Sequence, residues 1–198
     1  LGEMEIHVDL ITANLRNGVG QVQPFSTVPK PDDALYFGFH GGQNLSQHLL
    51  EFNVACPEEV SGVGISETHP PYQWEVAIED KNGRNRWHAC DKELAGDETH
   101  GINVSGRILV HLPQFSAIRI KQDDDDERHF WLRLRILHPE EYADGMKPYN
   151  RSPMINGLKV GSIGGTVLAT HAETIRDEFL GYSDGSPGQT FQLQAFPV

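Results

Sequence analysis

The residues able to do chemistry in this 198-residue chain are ten histidines, two cysteines and 28 acidic side chains, and spacing decides what they can do. Asp123-Asp124-Asp125-Asp126-Glu127 is a dense run of oxygen ligands. A calcium loop sets its ligands at alternate positions and turns sharply on a glycine, as in DxDxDG. This run has neither feature, and it reads as the solvated tip of a hairpin. Asp97-Glu98-Thr99-His100-Gly101 brings a carboxylate and an imidazole close together, but a polar turn feeding the next strand explains it better. His88 and Cys90 stand two apart in "RWHACD" and could share one strand face, yet no second CxxC or HxH pair accompanies them. No nucleophile elbow, HExxH helix or phosphate loop is assigned. The expectation is a protein that is not an enzyme, with no catalytic residue, no cofactor and no metal.

Composition narrows the class further. A formal charge of −12 argues against nucleic-acid binding, which usually needs a basic face, and disfavours anionic membrane surfaces. No apolar run approaches the roughly 20 residues of a spanning helix. Hydrophobic residues make up 38% of the chain, enough for a real core, so one domain with an appendage is expected. Cys56 and Cys90 are expected as two buried free thiols rather than as a disulfide. The start, LGEMEIHVDL, lacks an initiator Met and a signal-peptide pattern, which suggests a piece of a longer chain.

The elements that must position these residues read as strands nearly throughout. "ALYFGF" (34–39), "LSQHLLEFNVAC" (45–56), "PPYQWEVAIED" (70–80), "RNRWHACD" (84–91), "INVSGRILVHLP" (102–113), "FSAIRIKQ" (115–122) and "RHFWLRLRIL" (128–137) are the main segments. Asn82-Gly83 between the third and fourth is a strong hairpin signal. A last strand carries Phe191, Leu193 and Ala195 after a Gly/Ser/Pro turn, while 170–181 has helical or strand character. The expected fold is all-β, an antiparallel β-sandwich or jelly-roll-like domain with extended N- and C-terminal segments. Its organisation is a lead-in over 1–33, a core over 34–138, and C-terminal strands and turns over 139–198. Period-2 alternation predicts that Tyr72, Trp74, Val76, Ile78, Phe130, Leu132, Leu134 and Ile136 are buried. Trp131, Arg133 and Arg135 then project from the opposite face, where Trp and Arg are typical interface anchors. A second layer of the same chain covering them is the competing expectation.

Several segments together resemble a known family. "ALYFGF", "WHACDKELAGDETHGINVSGRILVHLP", "FWLRLRI", "SPMINGL" and "HAETIRDEFLGYSDGSPGQTFQL" occur here in that order. They are similar to the large baseplate assembly proteins, related to the baseplate J family, of phage-like contractile injection systems. An LYxGF strand maps to Leu35–Phe39, and D-E-T-x-G-x-x-x-S-G to Asp97–Gly106. WLR maps to Trp131–Arg133, and E-x-L-G-x-S-D-G-x-P-G-Q-x-F to Glu178–Phe191. Phe179 before Leu180 is a small departure, and His100 stands where small residues are common.

The resemblance spans about 34–198 of the chain and is most specific at the closing motif. It implies a structural wedge component around the spike, made in the cytoplasm and assembled into the baseplate of a phage tail-like particle. Its partners would be other baseplate and tail proteins. It implies no catalytic residues, and it places the closing turn inside a longer chain. From the residues alone, a carbohydrate-binding β-sandwich with a glycan partner is the alternative, resting on exposed aromatics.

Overall fold

Alternation along the chain becomes two sheets. The computed structural model describes residues 20–40, 44–57, 65, 69–90, 96–118, 128–167 and 179–191. Within these lie eight strands: β1 Ala34–His40, β2 His48–Ala55, β3 Tyr72–Glu79, β4 Asn85–Ala89, β5 Gly96–Asp97, β6 Gly106–His111, β7 His129–Ile136 and β8 Gly157–Gly165. The first sheet has the order β1-β7-β3-β4 and the second β5-β6-β2-β8, with every described pairing antiparallel. β1 pairs with β7 in one sheet while β2 pairs with β6 in the other. A two-stranded ribbon therefore crosses between sheets, as in jelly-roll folds. The architecture is an all-β sandwich.

The inner faces meet over an aromatic centre. Phe52 of β2 is 1% exposed, and its ring lies 5.1 Å from Phe37 of β1 and 4.6 Å from Trp74 of β3. Tyr72, Trp74, Val76, Phe130, Leu132, Leu134 and Ile136 are all buried, and Ile78 is half-buried near the end of β3. Burying each such side chain contributes about 1.5–3 kcal/mol. A one-residue slip of β3 or β7 would turn its whole apolar set outward, so the register is strongly specified.

The structure departs from the sequence reading in several elements. The segment expected as a strand over 102–113 forms a turn through Ser105, and β6 begins only at Gly106. Asp97 is the reason. Its carboxylate accepts bonds from the Tyr72 hydroxyl (2.5 Å), the Thr99 N–H (2.7 Å), the Thr99 hydroxyl (2.5 Å) and the Gly101 N–H (3.1 Å). This knot carries His100 and Ile102 into positive φ, 50° and 62°, a conformation that side chains with a Cβ adopt at a cost. Gly106 closes the turn: a Cβ there would sit 2.8 Å from the Glu98 carbonyl oxygen.

β8, "GLKVGSIGG", was missed because its glycines mask any alternation; it extends the second sheet well past residue 138, where the expected core ended. Of "FSAIRIKQ", Ile118 makes an isolated bridge to His129, and 119–122 lie outside the described residues. So do the acidic run 123–127, most of 170–181, and the last strand beyond Phe191. The described part of the N-terminal lead-in docks on the sandwich unit: Val22 bridges Ile155, and the Phe25 ring lies 6.2 Å from that of Tyr149. The chain divides into two compact units, 1–166 and 167–198.

Replacing Phe52 by Ala empties the centre between Phe37 and Trp74. It should cost about 3–5 kcal/mol in urea unfolding. A loss below about 1 kcal/mol would mean that this aromatic centre is not the core.

Candidate interaction surface

The outer face of the first sheet collects the charged and aromatic side chains that alternation drives away from the core. Register sets Arg133 of β7 opposite Glu75 of β3 and opposite Tyr36 of β1. The Asn82-Gly83 hairpin sets Trp87 of β4 opposite Ala77. Glu75 is 7% exposed and holds two guanidinium groups. Its Oε2 accepts from Arg133 Nε at 2.6 Å, and its Oε1 from Arg135 Nε at 3.1 Å. The Arg133 guanidinium carbon also lies 4.3 Å from the centre of the Trp87 ring, a cation–π contact. Tyr36 leans across to Trp87, with ring centroids 5.8 Å apart.

Trp131 lies over Gly38 of the neighbouring strand, where a Cβ would meet its ring at 3.0 Å. Glycine at 38 is therefore what lets the indole lie close to the sheet. His129 follows at 5.9 Å from Trp131, and His40 at 5.1 Å from His129. The layer runs across the sheet with Tyr36, Trp87, Trp131 and Arg133 all half-buried.

One of the three expected anchors does not project. Arg135 is only 7% exposed, because segments flanking the sheet close over it. Its Nη2 donates to Glu141 Oε1 at 2.9 Å, and its Nη1 to Glu141 Oε2 at 3.0 Å and Asp32 Oδ1 at 3.3 Å. Glu141 sits in the short 3₁₀ turn Pro139–Glu141 and also accepts the His138 N–H at 2.8 Å. These bonds raise the Arg135 pKa and lower that of Glu141 from its ordinary 4.5 to about 2, the Arg135 hydrogen bond being the largest cause for Glu141. Arg135 is thus a structural cation. Arg133 and Trp131 keep an accessible edge, and the sequence reading missed Tyr36 and Glu75 beside them. The hairpin signal at Asn82-Gly83 was enough to set Trp87 on this face.

The other chemistry-bearing residues fall elsewhere. His88 is exposed while Cys90 is buried, so they do not form a common site. Cys56 and Cys90 are free thiols, but Cys56 is only half-buried where both were expected to be buried; burial pushes the first up to about 11 and the second to about 12, so both stay protonated near neutral pH. Among the described residues, no group of three or more His, Cys, Asp or Glu could hold a metal ion. None of the described helices is long and apolar enough to cross a membrane.

One spacing was overlooked. Gly181-Tyr182-Ser183-Asp184-Gly185 fits the G-x-S-x-G pattern of a nucleophile elbow. That elbow needs a strand before it, a helix after it and a base on the serine. Here the Ser183 hydroxyl donates to Gln189 Oε1 at 2.7 Å and accepts the Gly185 N–H at 3.3 Å, and the described residues 179–191 contain neither strand nor helix. Ser183 staples a turn. Compared with known protein families and with curated proteins, the chain matches none.

The Glu141 carboxylate should shape the acid limb of stability. A carboxyl held below its ordinary value stabilises the fold above pH 4.5, and that contribution is lost as pH falls toward about 2. Glu141→Gln should lower the thermal midpoint at pH 7 and flatten its fall between pH 4.5 and about 2. Parallel midpoint–pH curves for the two proteins would contradict the bonding described for Arg135.

Proposed function

We propose that this chain is a non-enzymatic structural module of a phage-tail-like baseplate, a wedge component of a contractile injection system that docks to other baseplate and tail chains. The observation that carries the reading is the outer face of the first sheet. Trp131, Trp87 and Tyr36 lie there half-exposed beside Arg133, on strands held rigid by core packing and by Glu75. Aromatic and Arg side chains on a preorganised surface are the combination that dominates interface energetics. The ordered motifs from Leu35–Phe39 to Glu178–Phe191 give the reading its particular partner class.

A glycan-binding sandwich is the second reading, and Trp87 and Trp131 would carry it. Sugars stack on open indole faces, and at Trp87 the Arg133 guanidinium already occupies one face at 4.3 Å. That contact favours protein docking.

Trp131→Ala should weaken incorporation into assembled baseplates by about 2 kcal/mol or more while leaving the thermal midpoint of the isolated chain nearly unchanged. Unchanged assembly after Tyr36, Trp87 and Trp131 are all replaced by Ala would end the proposal for this face. Saturable quenching of tryptophan fluorescence by oligosaccharides, lost with Trp131→Ala, would favour the glycan reading instead.

A further inference from the structure

We propose that two copies of this chain pair through β8, edge to edge and antiparallel about Gly161, so that their second sheets join into one. β8 is a nine-residue strand at the end of its sheet, bonded to β2 on one side; among the described residues no strand takes its other side. Such an edge offers a row of unpaired N–H and C=O groups, which proteins normally guard with charges or proline. "GLKVGSIGG" has no proline and a single charge, Lys159, in a chain of net charge −12. Elsewhere two copies repel, whereas this edge carries no carboxylate.

The strand is also complementary to itself. Gly161 is its midpoint, and pairing about that residue brings 159–163 of the two copies into register. Val160 then faces Ser162 of the second copy, and Lys159 faces Ile163. Val160 and Ser162 stand opposite Phe52 and Leu50 of β2, both core residues, so core side continues as core side up to the register shift. Ile163 has no partner in β2, because the register shifts between Leu49 and Leu50, and its side chain is 54% exposed. In the pair, the aliphatic stem of Lys159 from the other copy lies across it.

The two ammonium groups stand about 13 Å apart along the strands, beyond the screening length of about 8 Å at physiological salt. Centring on Lys159 instead would set them directly opposite, which is unfavourable. At Gly161 and Gly164 an added Cβ would meet nothing within 4 Å, so the approach is open.

The register gives a sharp test in the full chain carrying Cys56→Ser. With Gly161→Cys, mild oxidation should yield a disulfide-linked dimer on a non-reducing gel. Gly164→Cys and Asn53→Cys in the same background should stay uncrosslinked. In sedimentation velocity the unaltered chain should dimerise. Ile163→Lys, a change at an exposed side chain, should raise the dissociation constant roughly tenfold by opposing Lys159 of the other copy twice. Adding Lys159→Glu should restore the dimer. A chain that stays monomeric overturns the proposal, whether or not another protein's strand takes the edge. So does equal crosslinking at positions 161 and 164.

Discussion

Glu75 is the constraint on which the first sheet depends. A single carboxylate, 7% exposed, satisfies Arg133 and Arg135 together, and both bonds exist only in the register that sets Glu75 opposite Arg133. Leaving a buried charge unpaired is strongly destabilising, of the order of 3–5 kcal/mol for a broken pair. The same register puts Trp74 opposite Leu134 and Val76 opposite Leu132 on the core side. Polar and apolar faces therefore agree on one alignment. Such agreement across levels is what gives a sequence a single native state.

From that alignment the outer layer follows. Arg133, fixed by Glu75, supports Trp87; Trp87 meets Tyr36; and Gly38 lets Trp131 lie down on the sheet. The aromatic side chains of this surface are held by their neighbours in the free chain, and a surface so preorganised would lose less entropy on binding. Asp97 has the matching role at the other sheet, where it binds the Tyr72 hydroxyl and organises the turn into β6. The carboxylate and hydroxyl groups that invite a catalytic reading, at Asp97 and Ser183, are engaged in holding turns.

Where alternation was clean the sequence was legible. β3 and β7 declare their inner faces through large apolar residues at every second position, and Asn82-Gly83 fixes the hairpin between β3 and β4. β8 was illegible because glycine has no side chain to mark a face. The turn at 99–105 was illegible because Ile102 and Val104 look like strand residues, and only the Asp97 hydrogen bonds show that they are not. The burial of Arg135 was also out of reach. It depends on Asp32, more than a hundred positions upstream, folding beside Glu141. Local pattern carries faces and turns; it does not carry what a distant loop covers.

The central claim is that the outer face of the first sheet is a docking surface. Hydroxyl-radical footprinting of the tryptophans, in the isolated chain and in assembled baseplates, tests it most directly. Trp87 and Trp131, half-buried in the chain alone, are expected to be labelled when it is free and protected on assembly, while Trp74, 6% exposed, is labelled poorly in both. Equal labelling of Trp87 and Trp131 in the free chain and in the particle would contradict the account.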